Sequence, residues 1–69
     1  MCESNVYVVQ GDDETLLMED VGWLETDGHT IILKDILGRK KTLDGRLLYA
    51  DLVQHRIVIE PADAGRALA

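Results

Sequence analysis

Residues 6–13 read Val-Tyr-Val-Val-Gln-Gly-Asp-Asp, and this stretch sets the pattern for the rest of the chain. The run of β-branched and aromatic residues is typical of a strand, and the glycine and aspartates that follow are typical of a turn. Alternate residues of a strand point to opposite faces, and both faces here carry apolar side chains. A strand of this kind is either central in a sheet or contacts a partner.

Three further turn signals divide the remaining sequence into short pieces: Asp27-Gly28, Leu37-Gly38 and Asp44-Gly45. Asp-Gly between apolar segments favours a hairpin, because glycine accepts the positive φ that primed turns require. The pieces are rich in Val, Ile, Leu, Thr and Tyr, so we predict an all-β chain folded as a small barrel or sandwich. The predicted strands lie near residues 2–10, 15–25, 29–36, 39–43, 47–51 and 56–60.

The segment 46–55 has a second interpretation. Several of its residues fall near helical spacing, and no Pro or Gly interrupts them, so a short helix is the alternative to a strand. These residues are Leu47, Leu48, Asp51 and Leu52. In the last predicted strand, Ile57 and Ile59 alternate with Arg56, Val58 and Glu60, which indicates one buried face.

The chain is 69 residues long, is 46% apolar and 29% charged, and has a formal net charge of -6. This composition is typical of one globular domain, which we place at residues 1–60, with 61–69 as a frayed tail. A chain this short usually needs disulfides, a metal or a partner subunit for stability. Cys2 is the only cysteine, so no disulfide can form within the chain. Cys2, His29 and His55 also lack zinc-finger spacing.

Several functional classes are disfavoured by the sequence. No apolar run approaches the ~20 residues that span a membrane, and no signal peptide is recognisable, so we expect a cytoplasmic protein. A glycine-rich phosphate loop and a nucleophile elbow are both missing, so we expect no enzyme activity. The acidic stretches Asp12-Asp13-Glu14 and Glu19-Asp20 are interpreted as a solvated turn and a solvated strand end.

One basic cluster, Arg39-Lys40-Lys41 with Arg46 nearby, supports an alternative function as an RNA-binding small barrel. Because successive strand residues point to opposite faces, these side chains would not form one dense patch. The net negative charge also argues against phosphate binding. We therefore interpret the cluster as a solvated edge strand, where lysines discourage unwanted strand pairing.

Cys2 carries the most distinctive chemistry of the chain. The Met1 amine, the Cys2 amide nitrogen and the Cys2 thiolate can close two fused five-membered chelate rings on one ion. If Met1 is removed, the Cys2 amine and thiolate still form one ring. Mixed nitrogen and sulfur donors in tetragonal geometry favour Ni(II) or Cu(II). The competing interpretation is a small buried hydrophobic residue.

A fourth donor would have to come from elsewhere in the chain or from another chain. The candidates are a second Cys2 thiolate across a two-fold axis, His55 and His29. A third hypothesis needs no metal, because the apolar strand face could serve only for dimerisation.

The sequence resembles the CooT family, small accessory proteins linked to nickel insertion into carbon monoxide dehydrogenase. The resemblance spans residues 1–60 and depends on the order of several short motifs: Met1-Cys2-Glu3-Ser4, Val6-Tyr7, Met18-Glu19-Asp20-Val21, Leu37-Gly38 with Lys41 and Leu43, and Leu52 with His55, Ile57 and Glu60. It implies a small SH3-like, Sm-type β-barrel of about six to seven short strands that forms a homodimer. It also implies Ni(II) binding through Cys2 and an interaction with a nickel enzyme or its maturation factors.

Overall fold

The computed structural model describes residues 3–62, and this part of the chain consists of strands and turns. The strands are β1 (Ser4–Gln10), β2 (Asp13–Asp27), β3 (Thr30–Asp35), β4 (Lys40–Asp51) and β5 (Arg56–Pro61). Consecutive strands pair antiparallel, and β1 also pairs parallel with β5, which closes the sheet into a barrel. The all-β prediction is therefore confirmed, and β1 is central, between β2 and β5. No helix among the described residues is long and apolar enough to cross a membrane.

The described residues form five strands rather than six to seven, because Asp44-Gly45 is not a turn. The strands predicted at 39–43 and 47–51 are one continuous strand, β4. Gly45 is opposite Pro61, and a Cβ atom at position 45 would lie 2.5 Å from the Glu60 carbonyl oxygen. The glycine thus permits a close approach between two backbones, which is a different use from a turn.

The helix considered for residues 46–55 is also wrong. β4 continues to Asp51, and residues 52–55 form the turn into β5. Short apolar runs do not distinguish a strand from a helix by spacing alone, and here pairing with β5 decides the conformation.

The two long strands, β2 and β4, each pair with one neighbouring strand along their first part and with another along their second part. β2 pairs with β1 from Asp13 to Val21 and with β3 from Val21 to Asp27. β4 pairs with β3 over residues 40–44 and with β5 over residues 45–51. Lys40 and Lys41 therefore lie where β4 has a strand neighbour on one side, which agrees with their interpretation as edge residues.

The interior of the barrel is aliphatic. Its buried cluster comprises Val6, Val21, Ile31, Leu33, Ile57 and Ile59, and partly buried aliphatic residues from β1, β2 and β4 pack against it. The predicted inward orientation of Ile57 and Ile59 is confirmed. Burial of such side chains is the main source of stability in a domain of this size.

Val58 shows that β5 is covered on both faces, not on one as predicted. It is only 2% exposed, although it lies opposite the interior cluster. Its strand neighbours are Tyr7 and Tyr49. The Arg56 guanidinium lies 4.4 Å from the centre of the Tyr7 ring and forms an ion pair with Glu14. The hydrogen bond to the Tyr49 hydroxyl has the largest effect on the pKa of Arg56, and the hydrogen bond to Glu14 the next largest. Together they raise this pKa above its ordinary value.

Candidate metal centre

The predicted metal donors Met1 and Cys2 lie outside the described residues. The structure does describe the surface around the start of β1, the strand that follows Met1 and Cys2 in the chain. Cys2 is three residues before Asn5, so covalent geometry keeps their Cα atoms within about 11 Å of one another. Donors that could complete a site with Cys2 in the same chain must therefore lie close to the start of β1.

Four chain segments meet at the start of β1 through a series of hydrogen bonds. The Asn5 amide donates to the His55 carbonyl oxygen at 2.9 Å. The Asp20 amide donates to Asn5 Oδ1 at 3.4 Å, and the Ile36 amide donates to the Asp20 carbonyl oxygen at 2.9 Å. We call this surface, with the exposed residues of the two adjoining turns, the N-terminal rim. It brings together β1, β2, the β3–β4 turn and the β4–β5 turn.

The rim also contains unusual backbone conformations. Asp20 and His55, with φ of 56° and 57°, are the non-glycine residues of the described chain that have positive φ. This region costs an L-residue about 1–2 kcal/mol, and such strain concentrates at functional sites. Asp20 lies where β2 changes from one partner to the other, and His55 ends the turn before β5.

The β3–β4 turn on one side of the rim is held by a buried carboxylate. Asp35 Oδ1 accepts hydrogen bonds from the backbone amides of Leu37 and Arg39 at 3.0 and 2.8 Å. Asp35 Oδ2 accepts one from Arg39 Nε at 2.5 Å. Burial alone would raise the pKa of Asp35, but the hydrogen bonds from Arg39 and Leu37 outweigh it, so the pKa lies below its ordinary value of 3.8.

The β4–β5 turn, on the other side of the rim, has fewer hydrogen bonds to its aspartate. Asp51 Oδ1 accepts one hydrogen bond, from the Gln54 amide at 3.0 Å. Leu52 and Val53 at its tip are exposed, and so is His55. Sequence analysis placed His55 in a turn before the last strand, which is confirmed.

The two histidines considered as fourth donors lie at opposite ends of β5. The His29 carbonyl oxygen accepts from the Gly45 amide at 2.7 Å, and Gly45 pairs with Pro61 at the end of β5. Six strand residues separate the two ends by about 20 Å. Within one chain, His55 is therefore the nearer imidazole to the start of β1.

The described residues do not hold a complete metal site. No group of three or more His, Cys, Asp or Glu side chains in residues 3–62 is placed to bind one ion. The N-terminal rim offers two separate donors, the His55 imidazole and the Asp20 carboxylate. A metal bound here would need further donors, and the nitrogen and sulfur atoms of Met1 and Cys2 are chemically suited to supply them.

Two of the four basic residues of the cluster form ion pairs with carboxylates. Arg39 pairs with Asp35, and Arg46 pairs with Glu60 at 2.8 Å. Lys40 and Lys41 line a groove of about 400 Å³ that also carries Glu19 and Asp35. Such mixed charge does not favour a phosphate backbone.

Sequence reasoning missed Asp20 as a member of this site, because it interpreted the Glu19-Asp20 pair as a strand end. Both residues lie within β2. The available signal was the residue type, since aspartate adopts positive φ more readily than most residues. That signal does not reveal which segments surround the residue.

Comparison with known proteins connects this barrel to a family. A family model described as the CO dehydrogenase accessory protein CooT matches residues 1–60. The chain belongs to the CooT family. The resemblance noted from the sequence motifs is thus confirmed, and the family is defined by an accessory role rather than by a catalytic one.

One solved structure and two relatives found by sequence support the assignment of this chain to the CooT family. A crystal structure assigned to CooT from Carboxydothermus hydrogenoformans is 34% identical, with a TM-score of 0.82, and the match covers 90% of this chain and 100% of that one. An uncharacterized protein of Methanothermobacter thermautotrophicus is 48% identical over 91% of this chain and 94% of its own. An uncharacterized protein of Methanocaldococcus jannaschii is 37% identical over 87% of this chain and 98% of its own.

Proposed function

We propose that this CooT-family chain binds Ni(II) through Met1 and Cys2 and carries it as cargo for the maturation of a nickel enzyme such as carbon monoxide dehydrogenase. The observation that carries the proposal is the contact between Asn5 and His55. It joins the strand that follows the only thiol of the chain to a turn with an exposed imidazole. The family assignment supplies the biological setting.

The donor chemistry explains the choice of metal. The Cys2 thiolate and the terminal backbone nitrogens form a compact set of donors that suits square-planar coordination. Ni(II) and Cu(II) favour this geometry more than Zn(II) does. One terminus supplies at most three such donors, so the fourth comes from His55 or from a second subunit. We propose a homodimer in which the residues around 1–60 form the folded unit.

A calorimetric titration with Ni(II) tests the site, using an untagged N-terminus and reduced protein. We expect Cys2→Ser to lower the affinity at least ~100-fold, because the softest donor is lost. His55→Gln and His29→Gln form a matched pair, since both residues end exposed turns. His55→Gln weakens binding and His29→Gln leaves it unchanged if His55 is the same-chain donor. Unchanged affinity in Cys2→Ser would contradict the proposal.

The same titration at several pH values tests the ionisation of the donors. A thiolate and an amine must lose protons to bind a metal, so the affinity should fall as the pH is lowered. Each proton released contributes about tenfold per pH unit. A tag on the N-terminus should weaken binding, whereas a tag on the C-terminus should not. An affinity that does not depend on pH would exclude the thiolate and amine donors.

A further inference from the structure

The first part of β4 has main-chain hydrogen-bonding groups that face away from its strand neighbour. β4 pairs with β3 over residues 40–44, and its pairing with β5 begins only at Gly45. The Gly45 amide donates toward β3, to the His29 carbonyl oxygen, whereas the Asp44 carbonyl oxygen accepts from Ala62 on the other side. Because successive residues of an antiparallel strand bond in alternate directions, the N–H and C=O groups of residues 40 and 42 point to the side that no strand of residues 3–62 covers. We call residues 40–43 on this side the open edge of β4.

A groove lies beside the open edge. It has a volume of about 400 Å³, and its lining includes residues 17–19 of β2 together with Lys40 and Lys41 of β4. β2 pairs with β3 only from Val21 onward, so the β2 wall of the groove also lacks a strand on that side. A groove between two half-paired strands suits an extended chain that adds to the sheet through main-chain hydrogen bonds.

The charges at the open edge indicate which chemistry the added chain should have. Lys40 and Lys41 are exposed and form no ion pair within residues 3–62, whereas Arg39 pairs with Asp35. The two lysines point to opposite faces of β4, so a strand along the edge would meet one lysine on each face. Opposite charges directly across two strands are favourable, and like charges are unfavourable. Glu19 on the β2 wall is one carboxylate against these two lysines.

The segment 63–69 of this chain is poorly matched to the same edge. Gly45 is opposite Pro61, so in the register of β5 Arg66 would fall opposite Lys40. This would be a like-charge pair, and the neighbouring Gly65 has low strand propensity. The lysines therefore disfavour this segment and favour a strand that carries carboxylates.

We infer that the open edge of β4 binds an extended, acidic segment of a partner protein. The segment adds as an antiparallel strand, as β5 does further along β4, and places carboxylates opposite Lys40 and Lys41. The inference goes beyond the proposed function and does not depend on it, because no residue of the open edge is a proposed nickel donor.

Solution NMR of the full-length, reduced, metal-free protein with a synthetic peptide tests the site. The probe is acetyl-Val-Thr-Glu-Glu-Val-amide, and the matched control peptide has lysine in place of both glutamates. We expect the acidic peptide to slow hydrogen exchange of the Lys40 and Thr42 amides at least ~10-fold, because these amides gain acceptors. The Lys41 and Leu43 amides face β3 and should change little. The lysine peptide should bind at least ~10-fold more weakly, since each favourable pair becomes a like-charge pair.

Charge reversal in the protein gives a second, independent test. Lys40→Glu and Lys41→Glu should each weaken binding of the acidic peptide ~5–10-fold, because each replaces a favourable cross-strand pair by a like-charge one. The matched control is Lys34→Glu, the same change at the third lysine of the chain, which lies on β3 and thus one strand further from the edge. Screening by salt should limit its effect to less than ~2-fold.

Three results would overturn the inference. The first is an absence of chemical-shift changes up to ~2 mM acidic peptide, and the second is equal binding of the lysine peptide. The third is strong protection of the Lys40 and Thr42 amides before any peptide is added, which would show that the edge is already occupied. Protection that does not depend on protein concentration would assign the edge to segment 63–69, and protection that grows with concentration would assign it to a second copy.

Discussion

The two turns that flank the start of β1 differ in how they are held. The β3–β4 turn contains a buried carboxylate, Asp35, with three hydrogen bonds, and a glycine, Gly38, at its positive-φ position. The β4–β5 turn has Asp51 with one hydrogen bond, and a histidine at its positive-φ position. Glycine takes positive φ without steric cost, whereas His55 does not.

This contrast separates a turn built for stability from one that retains strain. In the β3–β4 turn, the glycine at the positive-φ position and the hydrogen bonds to Asp35 both agree with the conformation adopted. In the β4–β5 turn, a histidine occupies a position where glycine would be less strained, and its carbonyl oxygen accepts a hydrogen bond from Asn5 of β1. Strain kept at one site while it is avoided at a similar one indicates that the side chain has a use.

The largest effect is expected from removing the Asp35 carboxylate, with Asp51 as the comparison. Asp35→Ala removes the acceptor of the Leu37 and Arg39 backbone amides and of Arg39 Nε, and each lost bond to this charged group costs about 1–3 kcal/mol. We expect the Tm to fall by more than ~10 °C. Asp51→Ala removes one exposed bond, and its Tm should fall by less than ~5 °C. Thermal unfolding followed by circular dichroism gives both values, and equal losses would break the comparison.

Exchanging the residues at the positive-φ positions should have a smaller effect. Gly38 has a φ of 87°, so Gly38→Ala introduces strain of about 1 kcal/mol and should lower the Tm by ~4–8 °C. His55→Gly removes strain from the folded state but raises the conformational entropy of the unfolded chain. These effects oppose one another, so the Tm of the variant should stay the same or rise by less than ~5 °C. A Tm for His55→Gly as low as that of Gly38→Ala would show that the histidine stabilises its turn.

The pH dependence of stability should sharpen the comparison further. Folding lowers the pKa of Asp35 below its ordinary value of 3.8, so its contribution is fully present above pH 3.8 and is lost as the pH falls through the folded pKa. The Tm difference between the wild type and Asp35→Asn should therefore be constant at higher pH and narrow below pH 3.8. A widening gap for Asp35→Asn in acid would contradict the assigned direction of its pKa shift.

The positions of several strands along the chain were predictable from local sequence. Gly11, Gly28 and Gly38 lie in the turns that follow β1, β2 and β3, and the alternation of Ile57 and Ile59 identifies the inward face of β5. Asp44-Gly45 was misassigned because a glycine needed for close backbone approach resembles a glycine needed for a turn. The burial of Val58 depends on Tyr7 and Tyr49, which are distant in sequence.

The N-terminal rim could not be predicted for the same reason. His55 and Asn5 become neighbours only because β1 pairs parallel with β5, and a parallel pairing between the first and last strands has no local signature. Sequence reasoning identified Cys2 and His55 as separate candidates. The structure places His55 near the start of β1 and His29 at the opposite end of β5.

Native mass spectrometry of the untagged, reduced protein with and without Ni(II) tests the central claim most directly. It reports the oligomeric state, the metal count and the retention of Met1 in one measurement. The account predicts a dimer that gains nickel in a stoichiometric amount, and a Cys2→Ser dimer that gains none. A protein that stays nickel-free at stoichiometric metal, or a Cys2→Ser variant that binds nickel as the wild type does, would contradict it.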